Sequence, residues 1–315
     1  MPTMREYRDE LELVFAEASR DMNELPPEFR ERGQALLESS HPLRNGGRAN
    51  RISYLLPYWM RELTNSPIEL CRDMAVGNIH AMLRYFLLDD AMDGIERSRE
   101  ATRGSLALGQ LLEELFRRRY GRHYPQDSEL WDRYRQYVEE WALAVHSETE
   151  SPIDPHDFLP LARKAAPVKL GATGLWLHAG MPDRIPDTEL AVDLALAVLQ
   201  LSDDWEDWKE DLSEPNGNAF LSIARSRLPS VIGEALEERT VRTAIYHHHA
   251  ADALASVAES YVERLRRVRS APDQLIAFAD SVAKGIRSDA RRVEQYKRSL
   301  AEEGSFAQYL SKITE

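Results

Sequence analysis

The stretch FLLDDAMDG, residues 86–94, sets Asp89, Asp90 and Asp93 directly behind an apolar run. A second stretch, SDDWEDWKEDL at 202–212, places Asp203, Asp204, Asp207 and Asp211 behind the apolar segment AVDLALAVLQL. Carboxylates crowded in this way repel one another, so positive charge is expected against them. Asp89 and Asp93 are spaced i, i+4, and Asp203, Asp207 and Asp211 i, i+4, i+8; on helices each set forms one stripe. Oxygen donors of this kind suit Mg²⁺, which keeps several waters and completes its shell with one or two carboxylates and phosphate oxygens. Two acidic stripes on facing helices could therefore hold a diphosphate through shared Mg²⁺ ions. An ordinary surface helix spreads its charge along one polar face and does not collect it at the end of an apolar segment.

The elements that must position these carboxylates read as helices. Helical periodicity and strong helix formers predict helices over 3–20, 27–39, 51–64, 67–91, 105–120, 128–148, 157–179, 188–212, 236–270 and 273–302. The breaks fall at HPLRNGG, YGRHYPQDS, SPIDPHD, AGMPDRIPD, LSEPNGN and RSAPD, all rich in turn residues. None is long enough for an interdomain linker. No β-branched run with a period of two occurs. The expectation is one all-α domain over 1–315, a single-domain bundle of about ten helices around a central apolar cavity.

Composition narrows the function classes. A net charge of −13, from 40 Lys+Arg against 53 Asp+Glu, argues against a nucleic-acid binder, which needs a basic face. Anionic partners would have to be held by local cations or metal ions. The single cysteine, Cys71, cannot form an internal disulfide, and a cytoplasmic location is the expectation. No apolar run approaches the ~20 residues of a membrane span, and the charged start lacks a signal-peptide core. No Gly-rich nucleotide loop, nucleophile elbow or CxxC pair is present. The run His247–His249 reads as surface, because consecutive helical positions point in different directions.

Two aspartate-rich motifs on helices of a chain this long resemble the class I isoprenoid synthase fold, which includes trans-prenyl diphosphate synthases and class I terpene cyclases. GGRANRISYLLPYW, from Gly46, is similar to the GGKxxR segment of the synthases, with Arg48 in place of the lysine and Arg51 retained. IHAMLRYFLLDDAMD resembles their helix carrying DDxxD, and KAAPVKLGATGLWLHAG, from Lys164, resembles their helix with a diphosphate-contacting lysine. LQLSDDWEDWKEDL fits their second DDxxD. It also fits the i, i+4, i+8 metal motif of the cyclases, with Asp207 and Asp211 replacing the usual Ser or Thr and Glu.

The resemblance implies a prenyl diphosphate substrate and two or three Mg²⁺ ions bound with it. The metal ligands would be Asp89, Asp90, Asp93, Asp203, Asp204, Asp207 and Asp211, with Asp89, Asp93, Asp203 and Asp207 at the centre of catalysis. Lys169 matches the family lysine best, with Lys164 and Arg163 nearby. Arg99 follows the first motif, and Arg292 and Tyr296, i, i+4 near the C-terminus, loosely resemble the Arg-Tyr pair that closes cyclase sites over diphosphate. Tyr85, Phe86, Met82 and Trp176 would line the cavity. A homodimer is the family-level expectation.

Departures from the pattern select the activity. The synthases carry Arg-Arg-Gly after the first motif; here GIERSREATRGS has Arg97 and Arg99 flanking Ser98. They carry Gln or His seven positions before the first aspartate; here Met82 stands there, and His80 lies two residues off, roughly 200° around a helix. A degraded homoallylic site beside two intact metal motifs implies a terpene cyclase that ionises one linear prenyl diphosphate and cyclises the allyl cation. The alternative is a trans-prenyl diphosphate synthase that elongates with isopentenyl diphosphate. A non-catalytic synthase partner and an all-α diphosphohydrolase are more distant readings. Arg84, where the family has an apolar residue facing the cavity, is expected to point away, into a dimer contact or a salt bridge.

Overall fold

The computed structural model describes residues 7–44, 50–92, 94, 98–148, 150–213, 215–228 and 236–302. Among them lie thirteen α-helices and no strand: α1 Arg8–Asn23, α2 Pro27–Ser39, α3 Arg51–Thr64, α4 Ile68–Met92, α5 Arg99–Tyr120, α6 Glu129–His146, α7 Phe158–Arg163, α8 Leu170–His178, α9 Ile185–Glu206, α10 Ala219–Ser226, α11 Glu238–His247, α12 Ala250–Leu265 and α13 Asp273–Glu302. No described helix is long and apolar enough to cross a membrane. The chain divides into two compact units, one of residues 1–136, 167–189 and 272–275, the other of 137–166, 190–271 and 276–315.

The first unit is organised around α4, against which α1, α3, α5 and α8 pack. The first half of α4 is buried around most of its circumference, from Leu70 to Leu83. Gly77 permits the close approach of α5: a Cβ there would sit 2.9 Å from the Tyr120 ring. The Tyr120 hydroxyl then donates to Asn78 Oδ1 at 2.6 Å, and Asn78 Nδ2 donates to the Ser53 carbonyl of α3 at 2.8 Å. A buried ionic cluster ties α1, α4 and α5. Arg119 donates to Asp21 at 2.7 and 2.8 Å, to Glu17 at 2.7 Å and to Asp73 at 2.8 Å, and His80 Nε2 lies 2.9 Å from Asp21 Oδ2. Burial alone would raise the Asp21 carboxyl, but hydrogen bonds from His80 and Arg119 hold it well below the usual carboxylate range. Burial lowers the His80 pKa, against the pull of Asp21; we take His80 as neutral, its Nε2–H donating to the carboxylate.

In the second unit α9 is the buried element, apolar on all sides over most of 191–201. Helices α10, α11 and α12 pack on one another. Asn218 N-caps α10, its Oδ1 accepting the Leu221 N–H at 2.8 Å. Phe220 of α10 stacks edge-on against Trp205, with ring centroids 4.8 Å apart.

Three expected helices are broken. The 157–179 helix divides into α7, a 3-10 turn at Ala166–Lys169 and α8, because Pro167 removes an amide donor and crowds the preceding turn. The 236–270 helix divides at His249, which adopts the left-handed region with φ 54°. The 188–212 helix stops at Glu206, and a 3-10 turn at Glu210–Ser213 follows. There the Asp204 carbonyl accepts the Asn218 side-chain amide at 2.8 Å, a partner from outside the helix that serves its C-terminal end. Asp211 therefore does not continue a helical stripe from Asp203 and Asp207.

Candidate functional site

The first acidic stretch ends α4. Asp89 is exposed and Asp90 half-buried, while Asp93 lies outside the described residues, as do Gly46, Arg48 and Arg97. One turn earlier, Tyr85 and Phe86 are half-buried and Met82 is buried. Arg84 turns to α5: its Nε lies 3.5 Å from Glu113 Oε2, and its guanidinium sits 5.0 Å from the Tyr85 ring centroid. Glu113 also accepts from Arg117 Nε at 2.8 Å and from the Tyr134 hydroxyl at 3.0 Å. Of the two destinations expected for Arg84, the intramolecular salt bridge is the one seen. His80 faces α1 in the ionic cluster, and its two-residue offset from Met82 sets the two side chains roughly 200° apart around α4.

Lys169 is buried where the 3-10 turn meets α8. Trp176 of α8 is buried, its indole N–H donating to Thr188 Oγ1 at 2.8 Å. Arg99 is exposed at the first position of α5, beside its N-cap Ser98.

The second acidic stretch is assembled within the second unit, and its four aspartates divide by environment. Asp203 and Asp207 are exposed at the end of α9, Asp211 is half-buried, and Asp204 is buried. Asp204 has a structural task. Its Oδ1 accepts from Gln200 Nε2 at 2.8 Å and its Oδ2 from the Ala219 N–H at 2.7 Å, at the first residue of α10. Asn218 Nδ2 binds both the Asp204 carbonyl and Asp211 Oδ2, each at 2.8 Å, so one amide returns Asp211 to the cluster after the helix has ended.

Lys164 brings positive charge to this cluster. Its ammonium donates to Glu148 Oε1 at 2.5 Å and to the Gly217 carbonyl at 2.9 Å. Burial works against its charge, but Asp204, Glu148 and Asp211 outweigh burial and raise its pKa. One ammonium does not neutralise the group. Asp203 keeps access to solvent, yet the protein packed around its carboxyl, and then the charges of Asp204, Asp207 and Glu206, push it up to about 7. Burial pushes Asp204 up to about 6, with Lys164 and the hydrogen bonds from Gln200 and Ala219 opposing. Burial raises Asp211 as well, against the Asn218 hydrogen bond.

Arg163 is exposed and shares with Lys164, Glu148, Asp154 and Asp157 a concavity of about 400 Å³. Arg292 is exposed on α13 and donates to Asp289 Oδ1 at 2.5 Å; Asp289 Oδ2 accepts the Trp205 indole N–H at 3.1 Å. Arg292 is thereby tied through Asp289 to the end of α9. Tyr296, one turn on, is 55% exposed and 6.2 Å from the Tyr246 ring. Glu148, Gln200 and Asn218 were not among the expected site residues. Asn218 carries a readable signal, an Asn directly before the helical run AFLSIARS. Glu148 carries none, because only the fold of the following loop brings it to Lys164.

The donor set is chemically suited to Mg²⁺: Asp203, Asp207 and Asp211 offer oxygens alone, two of them open to water. Among the described residues these three carboxylates do not close to within 4.8 Å as a group, so waters or phosphate oxygens would have to complete any ion's shell.

No family model matches the sequence, and no curated protein matches it. Among solved structures the chain is similar to T. brucei FPPS, a farnesyl diphosphate synthase, with a TM-score of 0.61 and 13% sequence identity, covering 91% of this chain and 100% of that one. At that identity the likeness is one of architecture, and it establishes that this chain has the all-helical isoprenoid synthase fold.

Proposed function

We propose that the chain is an enzyme that ionises a linear prenyl diphosphate, and that it acts as a class I terpene cyclase on the resulting allyl cation. The observation that carries this is the crowding at the end of α9, where Asp203, Asp204, Asp207 and Asp211 come together and two carboxyls rise to about 7 and about 6 despite the charge of Lys164. Such a group has a standing demand for divalent cations, and oxygen-only donors with water access favour Mg²⁺. Asp203, Asp207 and Asp211 would serve as its ligands, as would Asp89, Asp90 and Asp93 of the first acidic stretch, with two or three ions bound alongside the diphosphate. When bound, Mg²⁺ stabilises the charge that builds on the diphosphate leaving group.

The chain's own groups do the rest. Lys169, Arg163, Arg292 and Arg99 would neutralise the diphosphate, with Tyr296 as a hydroxyl donor. Lys164 is already held by Glu148 and Gly217 and acts first as counter-ion to the aspartates. Asp204 positions the cluster by capping α10 and serves as a ligand only if that bond is released. Tyr85, Phe86, Met82 and Trp176 would exclude water from the cation, and aromatic faces would stabilise its charge.

A second reading, chain elongation by a trans-prenyl diphosphate synthase, is favoured by the similarity to a farnesyl diphosphate synthase. The cyclase reading is favoured by Met82 and by Arg99 standing without an Arg-Arg-Gly neighbour. Incubation with C10 to C25 prenyl diphosphates and Mg²⁺, with and without isopentenyl diphosphate, separates them by gas chromatography. A hydrocarbon or alcohol formed without isopentenyl diphosphate supports the cyclase. A longer diphosphate formed only with it supports the synthase. Absence of Mg²⁺-dependent diphosphate release from every chain length, under both conditions, overturns both.

A further inference from the structure

Away from the acidic stretches, three metal-ligating side chains meet within the second unit. His249 precedes α12, Asp252 lies in the first turn of α12, and Glu294 comes from α13. His249 Nδ1 stands 3.7 Å from Asp252 Oδ2 and 3.4 Å from Glu294 Oε1, and the three ligand atoms all lie within 4.8 Å of one another. A tetrahedral ion with ligands at about 2.05 Å sets those ligands roughly 3.3 Å apart. Two edges of the triangle are near that value, and rotation of the carboxylates closes the third.

We propose that His249, Asp252 and Glu294 bind a borderline divalent transition ion of the Zn²⁺ class. An imidazole donor favours such an ion over Mg²⁺, which the oxygen-only aspartates favour. The site is thus distinct in chemistry from the acidic stretches, and it does not depend on the function proposed above.

The surrounding charges are compatible. Arg287 donates to Asp252 Oδ1 at 2.8 Å, but it is also held by Glu259, and Asp252 Oδ2 is the oxygen facing His249. Lys297 donates to Glu294 Oε1 at 2.8 Å, and the ion would displace this flexible ammonium. The N-terminus of α12 carries partial positive charge, which two carboxylates outweigh. His249 is exposed, so a fourth position is open to water, and His249 and Asp252 also border a concavity of about 610 Å³ with His156 and Arg227. The left-handed backbone of His249 separates α11 from α12 at the residue that supplies the nitrogen. An ion held here would staple α13, two residues from Arg292, to the α11–α12 turn.

The test is calorimetric titration of the full chain with Zn²⁺ alone, with Co²⁺ absorption as a second probe. Wild type should show a Zn²⁺ site that weakens about 100-fold or more in His249→Ala and in Glu294→Gln. The absorption of tetrahedral Co²⁺ should vanish in both variants. The site should persist in His247→Ala/His248→Ala and in Asp203→Asn, which separates it from neighbouring histidines and from the aspartate cluster. Far-UV circular dichroism checks that each variant is folded. Zn²⁺ affinity equal in wild type and His249→Ala, or loss of the site in Asp203→Asn, would overturn the proposal and leave an ion-pair knot.

Discussion

Replacing Lys164 by Met keeps the side-chain volume and removes the ammonium from the aspartate cluster. The substitution deletes the bond to Glu148 Oε1 at 2.5 Å and the one to the Gly217 carbonyl at 2.9 Å, and leaves Asp204 without its cation. Stranding one partner of a buried ion pair costs about 3–5 kcal/mol. Lys164 is 14% and Glu148 34% exposed, so water rescues part of the abandoned carboxylate, and the lower edge, about 3 kcal/mol, applies. Urea unfolding at pH 7, followed by circular dichroism and tryptophan fluorescence together, measures it. The double variant Lys164→Met/Glu148→Gln strands no charge on Glu148 and should recover at least about 1 kcal/mol of that loss. The two substitutions should therefore be coupled. A single variant within about 1 kcal/mol of wild type, or additive effects in the double, refutes the assignment of Lys164 as counter-ion.

Three further outcomes are expected. Asp207→Ala and Asp89→Ala should each lower turnover of a prenyl diphosphate by about 100-fold or more, a far larger effect than on the unfolding midpoint; unfolding with unchanged specific activity would reject the site. Asp204 rises from an ordinary 3.8 to about 6, so between those values the native state binds more protons than the unfolded chain and this group's contribution to stability falls by about 3 kcal/mol as pH rises. Subtracting the pH profile of Asp204→Asn from that of wild type should isolate this decline, and a difference that grows more favourable with pH contradicts it. Arg119→Met removes the buried cation shared by Asp21, Asp73 and Glu17, while Asp21 keeps His80 and Arg118 and Asp73 keeps Arg122 and His123, so it should cost about 3 kcal/mol in urea unfolding, with little change in turnover per folded molecule.

The sequence determined the all-α class, because apolar residues at helical spacing leave no alternative that hides them. It set the ends of α2, α3 and α13, where proline, turn residues and the end of the apolar pattern coincide. It also marked both acidic stretches, since carboxylates behind an apolar run contradict an ordinary surface helix. It did not mark where long helices break, because a left-handed His249 and the capture of the Asp204 carbonyl by Asn218 depend on partners distant in the chain. Only the tertiary structure decided that four similar aspartates have different tasks. Asp204 caps α10 in a buried position while Asp203 and Asp207 meet water, and Lys164, held by Glu148 and the Gly217 carbonyl, lends positive charge to Asp203, Asp204 and Asp211. Residue type fixes what a carboxylate can do, but burial and neighbouring charge decide which of those things it does, and both are properties of the folded chain.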